Sequence, residues 1–273
     1  MEFAPELGWQ NRRNVRLRHR QPDFDVMVQL DAEGHRVTPG GSSGPPIVFV
    51  GDSITFGWGV DARDTFVSRV GHALDRRTVN LGVPGYGTDQ SYLALMHHGR
   101  QSPLNSALVI YTLTANDVFD VTQDRMYGRG KPRININGTI EPFRSSGFPL
   151  GWIEQRSYLL ASIRTGIDML SRKPQSQPER ARGARLVAFL VEQMRQQCEA
   201  AGADFLLVVP KHEILAGETP TGAREVDLGP AIERIQRTGR SLVFREDRHF
   251  NAAGHAVVAS EILASLADST VSP

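Results

Sequence analysis

Residues 47–59 have the sequence Ile47-Val-Phe-Val-Gly-Asp-Ser-Ile-Thr-Phe-Gly-Trp-Gly59. Four apolar residues closed by a glycine are typical of a buried strand in a parallel sheet. A small polar residue just after such a strand lies at the sheet edge where open α/β folds bind ligands. Ser53 is therefore placed where a nucleophile could act. Turn geometry and helix capping alone also explain Gly-Asp-Ser, so the rest of the chain must supply partners for Ser53.

The composition is that of an ordinary globular domain. The 273 residues include 31 Lys and Arg against 30 Asp and Glu, and this balance gives no indication of a nucleic-acid partner. The single cysteine, Cys198, excludes an internal disulfide framework and a cysteine-rich metal site. No stretch approaches the roughly 20 apolar residues that span a membrane, and the N-terminus lacks the pattern of a signal peptide. We therefore expect a cytoplasmic protein without a transmembrane segment.

Residues 1–45 are predicted to form an appendage and linker, and residues 46–273 are predicted to form the main domain. Within the appendage, Asn14–Arg20 and Asp25–Leu30 alternate apolar and polar side chains, as half-buried strands do. The segment Gln21-Pro-Asp23 between them suits a turn, so an antiparallel hairpin is expected.

Five arginines lie between positions 12 and 20. They could form a patch for an anionic ligand or a membrane surface, or they could be the solvated face of a strand. The nearly balanced charge of the whole chain favours the solvated face.

From position 47 onward, apolar runs alternate with helical patterns. Strands are predicted at residues 47–50, 78–82, 107–113, 204–209 and 241–244, and helices at 64–76, 88–98, 155–170, 184–200, 228–237 and 252–266. This alternation predicts an α/β fold, a three-layer α/β/α sandwich around a parallel sheet of about five strands. Residues 120–155 contain several Gly and Pro without a long periodic pattern, and we interpret them as an insertion or lid. The segment 172–180 is polar and is predicted to be a loop.

Polar blocks follow four of the predicted strands. They are Gly51–Ser53, Asn80–Thr88, Thr114–Asp117 and Glu246–His255. The carboxyl ends of parallel strands share one edge, so these blocks are expected to converge. Together they offer a nucleophile, a base with a nearby acid and candidate oxyanion donors, which are the parts that acyl transfer requires. Each residue alone has a structural explanation, but their joint occurrence favours catalysis.

In this order the blocks resemble those of the SGNH (GDSL-type) hydrolase superfamily of esterases, lipases and acetylesterases. Gly51-Asp-Ser53 alone is weakly specific. Combined with Asn80-x-Gly-x-x-Gly85, Asn116-Asp117 and Asp247-x-His-x-Asn251, it is strongly specific. The resemblance covers the chain from Ile47 to the C-terminal helix, and it implies a flavodoxin-like sandwich and a serine hydrolase that uses no cofactor.

Residue by residue, the resemblance assigns three catalytic side chains. Ser53 is similar to the family nucleophile, His249 to the general base, and Asp247 to the acid that orients the imidazole. The oxyanion would be held by the backbone N–H groups of Ser53 and Gly85 and by the side-chain amide of Asn116.

Two positions depart from the family pattern. Thr114 stands where the third block usually has glycine, and we expect it to tighten the pocket near Asn116. The acid often stands three residues before the histidine, where this chain has Glu246. Asp247 is two residues before His249 and is preferred, with Glu246 as the alternative.

Other residues are assigned by position only. Four are expected to border the substrate pocket: Asp52, Trp58, Tyr86 and Thr114. The histidines outside the motif lack acidic partners at ligand spacing, so no metal site is predicted from His72, His97, His98, His212 and His255.

The sequence therefore predicts a metal-independent serine esterase that acts on a small-molecule, lipid or carbohydrate ester. A short acyl or acetyl group is favoured, because no exposed apolar helix suggests activation at a lipid interface. An O-acyltransferase acting on a carbohydrate would need the same residues. A non-catalytic carbohydrate-binding protein on this scaffold is the alternative from another class, because a fold does not determine function.

Overall fold

The computed structural model describes residues 1–141, 176–215, 218 and 222–268. Its strands, in chain order, are β1 (Glu2–Ala4), β2 (Gly8–Gln10), β3 (Val15–Gln21), β4 (Phe24–Leu30), β5 (Ser43–Gly51), β6 (Arg76–Asn80), β7 (Leu108–Thr112), β8 (Arg125–Met126), β9 (Arg129–Gly130), β10 (Arg133–Ile134), β11 (Ile140–Glu141), β12 (Asp204–Val209) and β13 (Arg224–Asp227). Its α-helices are α1 (Ser53–Phe56), α2 (Phe66–Ala73), α3 (Thr88–Gln101), α4 (Asp117–Asp120), α5 (Gln177–Ala200), α6 (Gly229–Gln236) and α7 (Ala252–Asp268).

The central sheet has five parallel strands in the order β13-β12-β7-β5-β6. If these five strands are numbered 1 to 5 in chain order, their order across the sheet, read from the β6 edge, is 2-1-3-4-5. This is the flavodoxin-like arrangement. The chain leaves β5 towards one side and later returns to the other side as β7. The crevice beyond the carboxyl ends of β5 and β7 is therefore the position where such folds bind ligands. The predicted α/β/α fold class is confirmed.

Buried side chains alternate between the two faces of the sheet. One face packs against α3 and α5 through Val48, Val50, Val109, Tyr111, Leu207 and Val209. The opposite face packs against α2 and α7 through Ile47, Phe49, Leu108, Ile110, Leu206 and Val208. Because both faces are covered, the side chains from Ile47 to Val50 are all 0% exposed. Burial on both faces explains the continuous apolar run of β5. The loop that follows β5 therefore starts from a buried strand.

The predicted position of the fifth strand is wrong. The fifth strand of the sheet is β13, whereas residues 241–244 take part only in an isolated bridge between Val243 and Phe250. β13 is an edge strand in which only Val226 is buried, so it lacks the apolar run that marks the inner strands. The apolar residues at 241–244 have another role: Leu242 is buried, and Phe244 packs against the N-terminal hairpin.

The N-terminal hairpin is confirmed as β3 and β4, which pair antiparallel from Val15 with Leu30 to Gln21 with Phe24. The buried face of β4 consists of every second residue: Phe24, Val26, Val28 and Leu30. A further short hairpin, β1 with β2, precedes it. The arginines of β3 are exposed, and Arg18 forms an ion pair of 2.5 Å with Asp25 across the hairpin.

Helix α5 begins earlier than predicted, so residues 177–180 are helical and do not belong to a loop. Ser176 explains the difference, because its N–H and hydroxyl both donate to Glu179, each at 2.8 Å. This Ser-x-x-Glu pattern, with Pro178 in the first turn, is a local helix-start signal in the sequence. The predicted helix at 155–170 and residues 142–155 of the predicted insertion lie outside the described residues. The described part of the insertion contains the hairpins β8–β9 and β10–β11.

Within the described ranges, no helix has the length and apolar character needed to cross a bilayer.

Candidate active site

The loop after β5 places Ser53 at the carboxyl edge of the sheet. Gly51 has φ of +151°, and a Cβ there would lie 2.4 Å from Oγ1 of Thr55 and 3.0 Å from the carbonyl oxygen of Thr112. A side chain would meet these atoms in a backbone conformation that L-residues rarely adopt, so the position requires glycine. The tight turn brings Ser53 out of the buried strand at the first residue of α1.

Ser53 is hydrogen-bonded to a histidine that lies 196 positions later. Its Oγ is 2.9 Å from Nε2 of His249, and Nδ1 of His249 is 2.5 Å from Oδ1 of Asp247. If Nδ1–H donates to the carboxylate, Nε2 is free to accept the proton of the serine hydroxyl. The arrangement can therefore take a proton from Ser53. The adjacent Glu246 is exposed, and the carboxylate bonded to His249 is that of Asp247.

The second oxygen of Asp247 also has a partner. Oδ2 accepts a hydrogen bond of 3.1 Å from the indole Nε1–H of Trp58. Trp58, expected from the sequence to border the substrate pocket, thus lies against the carboxylate of Asp247, and its ring centroid is 5.6 Å from that of His249. The indole fixes which oxygen of Asp247 faces the histidine.

A cavity of about 310 Å³ opens beside Ser53 and His249. Its lining includes the polar residues Asp52, Thr114, Asn116, Asp247 and Arg248 and the apolar residues Ile54, Leu113, Pro210, Leu228 and Phe250. The predicted pocket residues Asp52 and Thr114 are therefore at this cavity.

Tyr86, also expected to border the pocket, is 1% exposed and belongs to a separate core cluster. Its hydroxyl donates to the carbonyl of Trp9 at 2.5 Å, and the two rings pack edge to face. It lines a different cavity, together with His35 and His98. We therefore correct its assignment: Tyr86 supports the loop that carries Gly85.

The two remaining oxyanion candidates lie on loops after β6 and β7. Gly85 has φ of +81°, and a Cβ there would lie 2.5 Å from the ring of Tyr127, so only glycine fits. Asn116 lines the cavity, and its Nδ2 donates to Oδ2 of Asp120 at 2.7 Å. An amide nitrogen carries two N–H groups, so this bond orients Asn116 and leaves its second N–H as a donor.

The hydroxyl of Thr114 lies among three acceptors. Its Oγ1 is 3.0 Å from Oδ2 of Asp52, 2.9 Å from Oδ1 of Asn116 and 3.1 Å from Oδ2 of Asp117. A hydroxyl has one proton to donate. Oδ2 of Asp117 also accepts the backbone N–H of Thr114 at 2.7 Å. Thr114 therefore connects the nucleophile loop with the loop of Asn116.

Of the two buried acids, Asp117 is the one that we expect to be protonated. Burial raises the pKa of Asp117 well above its ordinary value, and the neighbouring charge of Asp52 raises it further. Burial also raises the pKa of Asp52. Hydrogen bonds oppose this effect at each acid: Asp52 accepts from the N–H of Ile54 and the hydroxyl of Thr114, and Asp117 accepts from the N–H of Thr114 at 2.7 Å. A protonated Asp117 can donate to the hydroxyl oxygen of Thr114 while Thr114 donates to the Asp52 carboxylate.

Replacing Asp117 by Asn, which imitates the protonated acid, is expected to change how stability depends on pH. Above its ordinary pKa of 3.8, Asp117 is ionised in the unfolded chain but protonated in the folded one. The folded state then binds more protons, so the free energy of unfolding falls as pH rises. Asp117→Asn should flatten that slope from about pH 5 upward, measured by urea unfolding at each pH.

The matched control is Asp25→Asn. Asp25 is exposed, and its hydrogen bond with Arg18 lowers its pKa. Its stabilising effect is present above its ordinary pKa and is lost only as pH falls below it, so this variant should keep the wild-type slope over the same interval. Equal slopes for wild type and Asp117→Asn would contradict a proton on Asp117.

A buried ion pair near the site was missed by the sequence analysis. Nζ of Lys131 is 2.5 Å from Oδ2 of Asp89, and both side chains are 0% exposed. The pair joins the insertion to the first turn of α3, next to the loop of Gly85. The residues are 42 positions apart and share no periodic pattern, so no local signal could have paired them.

The predicted absence of a metal site rested on residue spacing alone. Among the described residues, no group of three or more His, Cys, Asp and Glu side chains is arranged to hold a metal ion. His255 is buried, and its Nδ1 accepts the backbone N–H of Phe66 at 3.2 Å.

The chain is similar in sequence or structure to several known hydrolases. A sequence profile of the GDSL-like Lipase/Acylhydrolase family matches residues 49–257. Among solved structures, the chain is similar to an alpha/beta hydrolase enzyme from the metagenome of Lake Arreo, Spain, with 17% identity, a TM-score of 0.49, and coverage of 82% of this chain and 95% of that chain. A psychrotrophic esterase, EstA from Pseudoalteromonas sp., has 13% identity, a TM-score of 0.48, and coverage of 84% and 100%. An acetyl xylan esterase from Geobacillus stearothermophilus has 15% identity, a TM-score of 0.46, and coverage of 84% and 97%. The comparison with curated proteins finds no match.

Proposed function

The chain belongs to the GDSL-like Lipase/Acylhydrolase family, and on this premise we propose that it is a serine esterase that forms an acyl-enzyme on Ser53. One observation carries the proposal: Ser53, His249 and Asp247 form a continuous series of hydrogen bonds beside a cavity that Asn116 also lines. Nucleophile, base, orienting acid and an amide donor are the parts that ester cleavage needs.

In the first half-reaction, Nε2 of His249 takes the proton from Ser53 as Oγ attacks the ester carbonyl carbon. Asp247 stabilises the imidazolium that forms. The negative oxygen of the tetrahedral intermediate accepts hydrogen bonds from the backbone N–H groups of Ser53 and Gly85 and from the amide of Asn116. His249 then gives its proton to the departing alcohol, which leaves an acyl group on Ser53.

In the second half-reaction, water replaces the alcohol. His249 takes a proton from the water as its oxygen attacks the acyl carbon, and the proton returns to Oγ of Ser53 when the acid is released. The carboxylate of Asp247 keeps its charge throughout.

We infer a short acyl group, such as acetyl, as the group transferred to Ser53. A cavity of about 310 Å³ lies at the lower end of the size range of small-molecule pockets. Apolar side chains such as Leu113 and Phe250 line part of it, which suits a small alkyl group beside the polar reaction centre.

A fluorophosphonate probe tests the proposal directly. The probe is expected to label Ser53, identified by mass spectrometry of the digested protein, and hydrolysis of p-nitrophenyl acetate should be lost in proportion to labelling. Turnover that persists after complete labelling, or a label on a different serine, would refute the assignment. Product analysis with an added oligosaccharide would then show whether water or a sugar hydroxyl accepts the acyl group.

A further inference from the structure

The turn of the N-terminal hairpin contacts the loop that carries Asp247 and His249. Oδ2 of Asp23, between β3 and β4, accepts the backbone N–H of Glu246 at 2.7 Å and that of Asp247 at 2.9 Å. The same oxygen receives both bonds, across 223 and 224 positions of sequence. Asp23 therefore holds the backbone of the candidate acid.

Apolar packing fixes the hairpin against the same loop. The ring of Phe24 is 5.1 Å from that of Phe244, and both belong to a cluster with Phe56 and Trp58. The ring of His19 contacts Trp58, with centroids 4.3 Å apart. The hairpin thus packs on both the segment after α1 and the segment before Asp247, so the position of Asp23 is determined by a buried cluster.

The loop needs such support because part of its backbone is strained. Arg248, between Asp247 and His249, has φ of +72°, a region that residues other than glycine rarely adopt. Such a conformation persists where surrounding contacts determine it. The two N–H groups that bond to Asp23 immediately precede Arg248 in the chain.

Asp247 is consequently held from two directions. Asp23 fixes its backbone N–H, and the indole of Trp58 fixes Oδ2. Only Oδ1 faces Nδ1 of His249, at 2.5 Å. Both supporting residues act on the acid and leave the cavity beside Ser53 untouched.

We propose that Asp23, in the turn of the β3–β4 hairpin, and Trp58 are positioning residues for Asp247. This inference rests on the proposed esterase function. Asp23 lies outside residues 49–257, which match the family, so the role belongs to this chain's own N-terminal segment.

Asp23→Ala is expected to lower kcat by about 10- to 100-fold with little change in KM, since a small displacement of a catalytic group can cost that much. Asp23→Asn should stay near wild type, because one amide oxygen can accept both N–H groups. Asp25→Ala is the matched control on the same hairpin: Asp25 is exposed and pairs with Arg18. In an Asp247→Ala background, Asp23→Ala should have no further effect on kcat, since its action is through Asp247.

A readout that needs no substrate separates this inference from the proposed function. The Nδ1–H of His249, bonded to Asp247, should give a low-field proton resonance in the NMR spectrum, assigned by its absence in His249→Ala. The resonance should be lost in Asp23→Ala and retained in Asp23→Asn and Asp25→Ala, with circular dichroism confirming the fold of each variant. If the wild-type protein hydrolyses no ester but Asp23→Ala still loses the resonance, the positioning role is supported and the esterase proposal is refuted.

Trp58→Phe gives a second variant if Asp23→Ala does not fold. It keeps an aromatic ring beside His19 while replacing the larger indole by a ring without an N–H, and we expect kcat to fall about 10-fold, as for loss of a hydrogen bond to a charged group. Wild-type kcat together with an unchanged resonance, in Asp23→Ala or in Trp58→Phe, would overturn the proposal.

Discussion

Replacing Ser53 by alanine is expected to lower kcat for p-nitrophenyl acetate by about 10⁶-fold, because the acyl-enzyme can no longer form. The oxyanion donors and the cavity remain in this variant, so KM should change little. The expected residual activity is slow hydrolysis in which water attacks the ester directly. Steady-state kinetics of purified wild type and variant measure both quantities.

The loss should not increase when the base is removed as well. His249→Ala is expected to cost about as much as Ser53→Ala, and the double variant should be no slower than either, because the two residues act as a unit. Their hydrogen bond of 2.9 Å is the structural basis for this expectation. Multiplying losses in the double variant would show that the residues contribute independently, contrary to the mechanism.

Ser42→Ala is the matched control for these variants. Ser42 is exposed and immediately precedes β5, at the opposite end of the strand from Ser53. It should have wild-type kcat and KM. A comparable loss in this variant would indicate that the assay reports damage to the fold.

The core of the fold was predictable because its strands are buried on both faces. β5, β7 and β12 each contain a continuous buried apolar run, at 47–50, 108–111 and 205–209, and a run of this kind is visible in one sequence. β13 was not predicted, because an edge strand with one buried residue contains no such run. The start of α5, in contrast, had a local capping signal at Ser176 and Glu179, so that error was avoidable.

The site divides in the same way. Ser53, Asp247 and His249 could be proposed from the sequence because they stand in short motifs whose order is informative. Asp23, Arg36 and Lys131 stand in no motif, and their partners are set by the tertiary fold. Arg36, for example, is 2% exposed and donates to the carbonyl groups of Phe56 and Gly57, at the C-terminal end of α1. Periodicity predicts which side chains are buried, but it does not say which distant backbone groups a buried cation will bind.

The N-terminal segment supports the site at a second place besides Asp23. The indole of Trp9 donates to the carbonyl of Pro84 at 3.2 Å, and the amide of Asn11 donates to the carbonyl of Gly82 at 3.3 Å. Both carbonyls belong to the loop that presents Gly85. The residues before β5 therefore contact the loop of a candidate oxyanion donor as well as the loop of the candidate acid.

Asp247→Asn is expected to lower kcat by about 10⁴-fold. The indole N–H of Trp58 needs an acceptor, so the amide oxygen of Asn should take the position of Oδ2. Its NH₂ group would then face Nδ1 of His249, which must be unprotonated to accept it. That tautomer carries its proton on Nε2 and cannot take the proton of Ser53. The kcat of this variant tests the orienting role of Asp247.

The role of Trp58 in this effect can be separated by a double variant. With Trp58→Phe, nothing requires the amide oxygen at the Oδ2 position, and Asn can turn its oxygen towards Nδ1–H of His249. The double variant Asp247→Asn/Trp58→Phe is therefore expected to be faster than Asp247→Asn alone, although each single change lowers kcat. A double variant as slow as, or slower than, Asp247→Asn would show that the indole does not select the tautomer.

Glu246→Gln distinguishes the two candidate acids. The side chain of Glu246 is exposed, and its backbone N–H is the group that bonds to Asp23, so the variant should keep wild-type kcat. A loss near 10⁴-fold in Glu246→Gln with near-normal turnover in Asp247→Asn would reverse the assignment. Since the carboxylate at 2.5 Å from His249 belongs to Asp247, and since Asp23 and Trp58 both act on that residue, we expect the loss at Asp247.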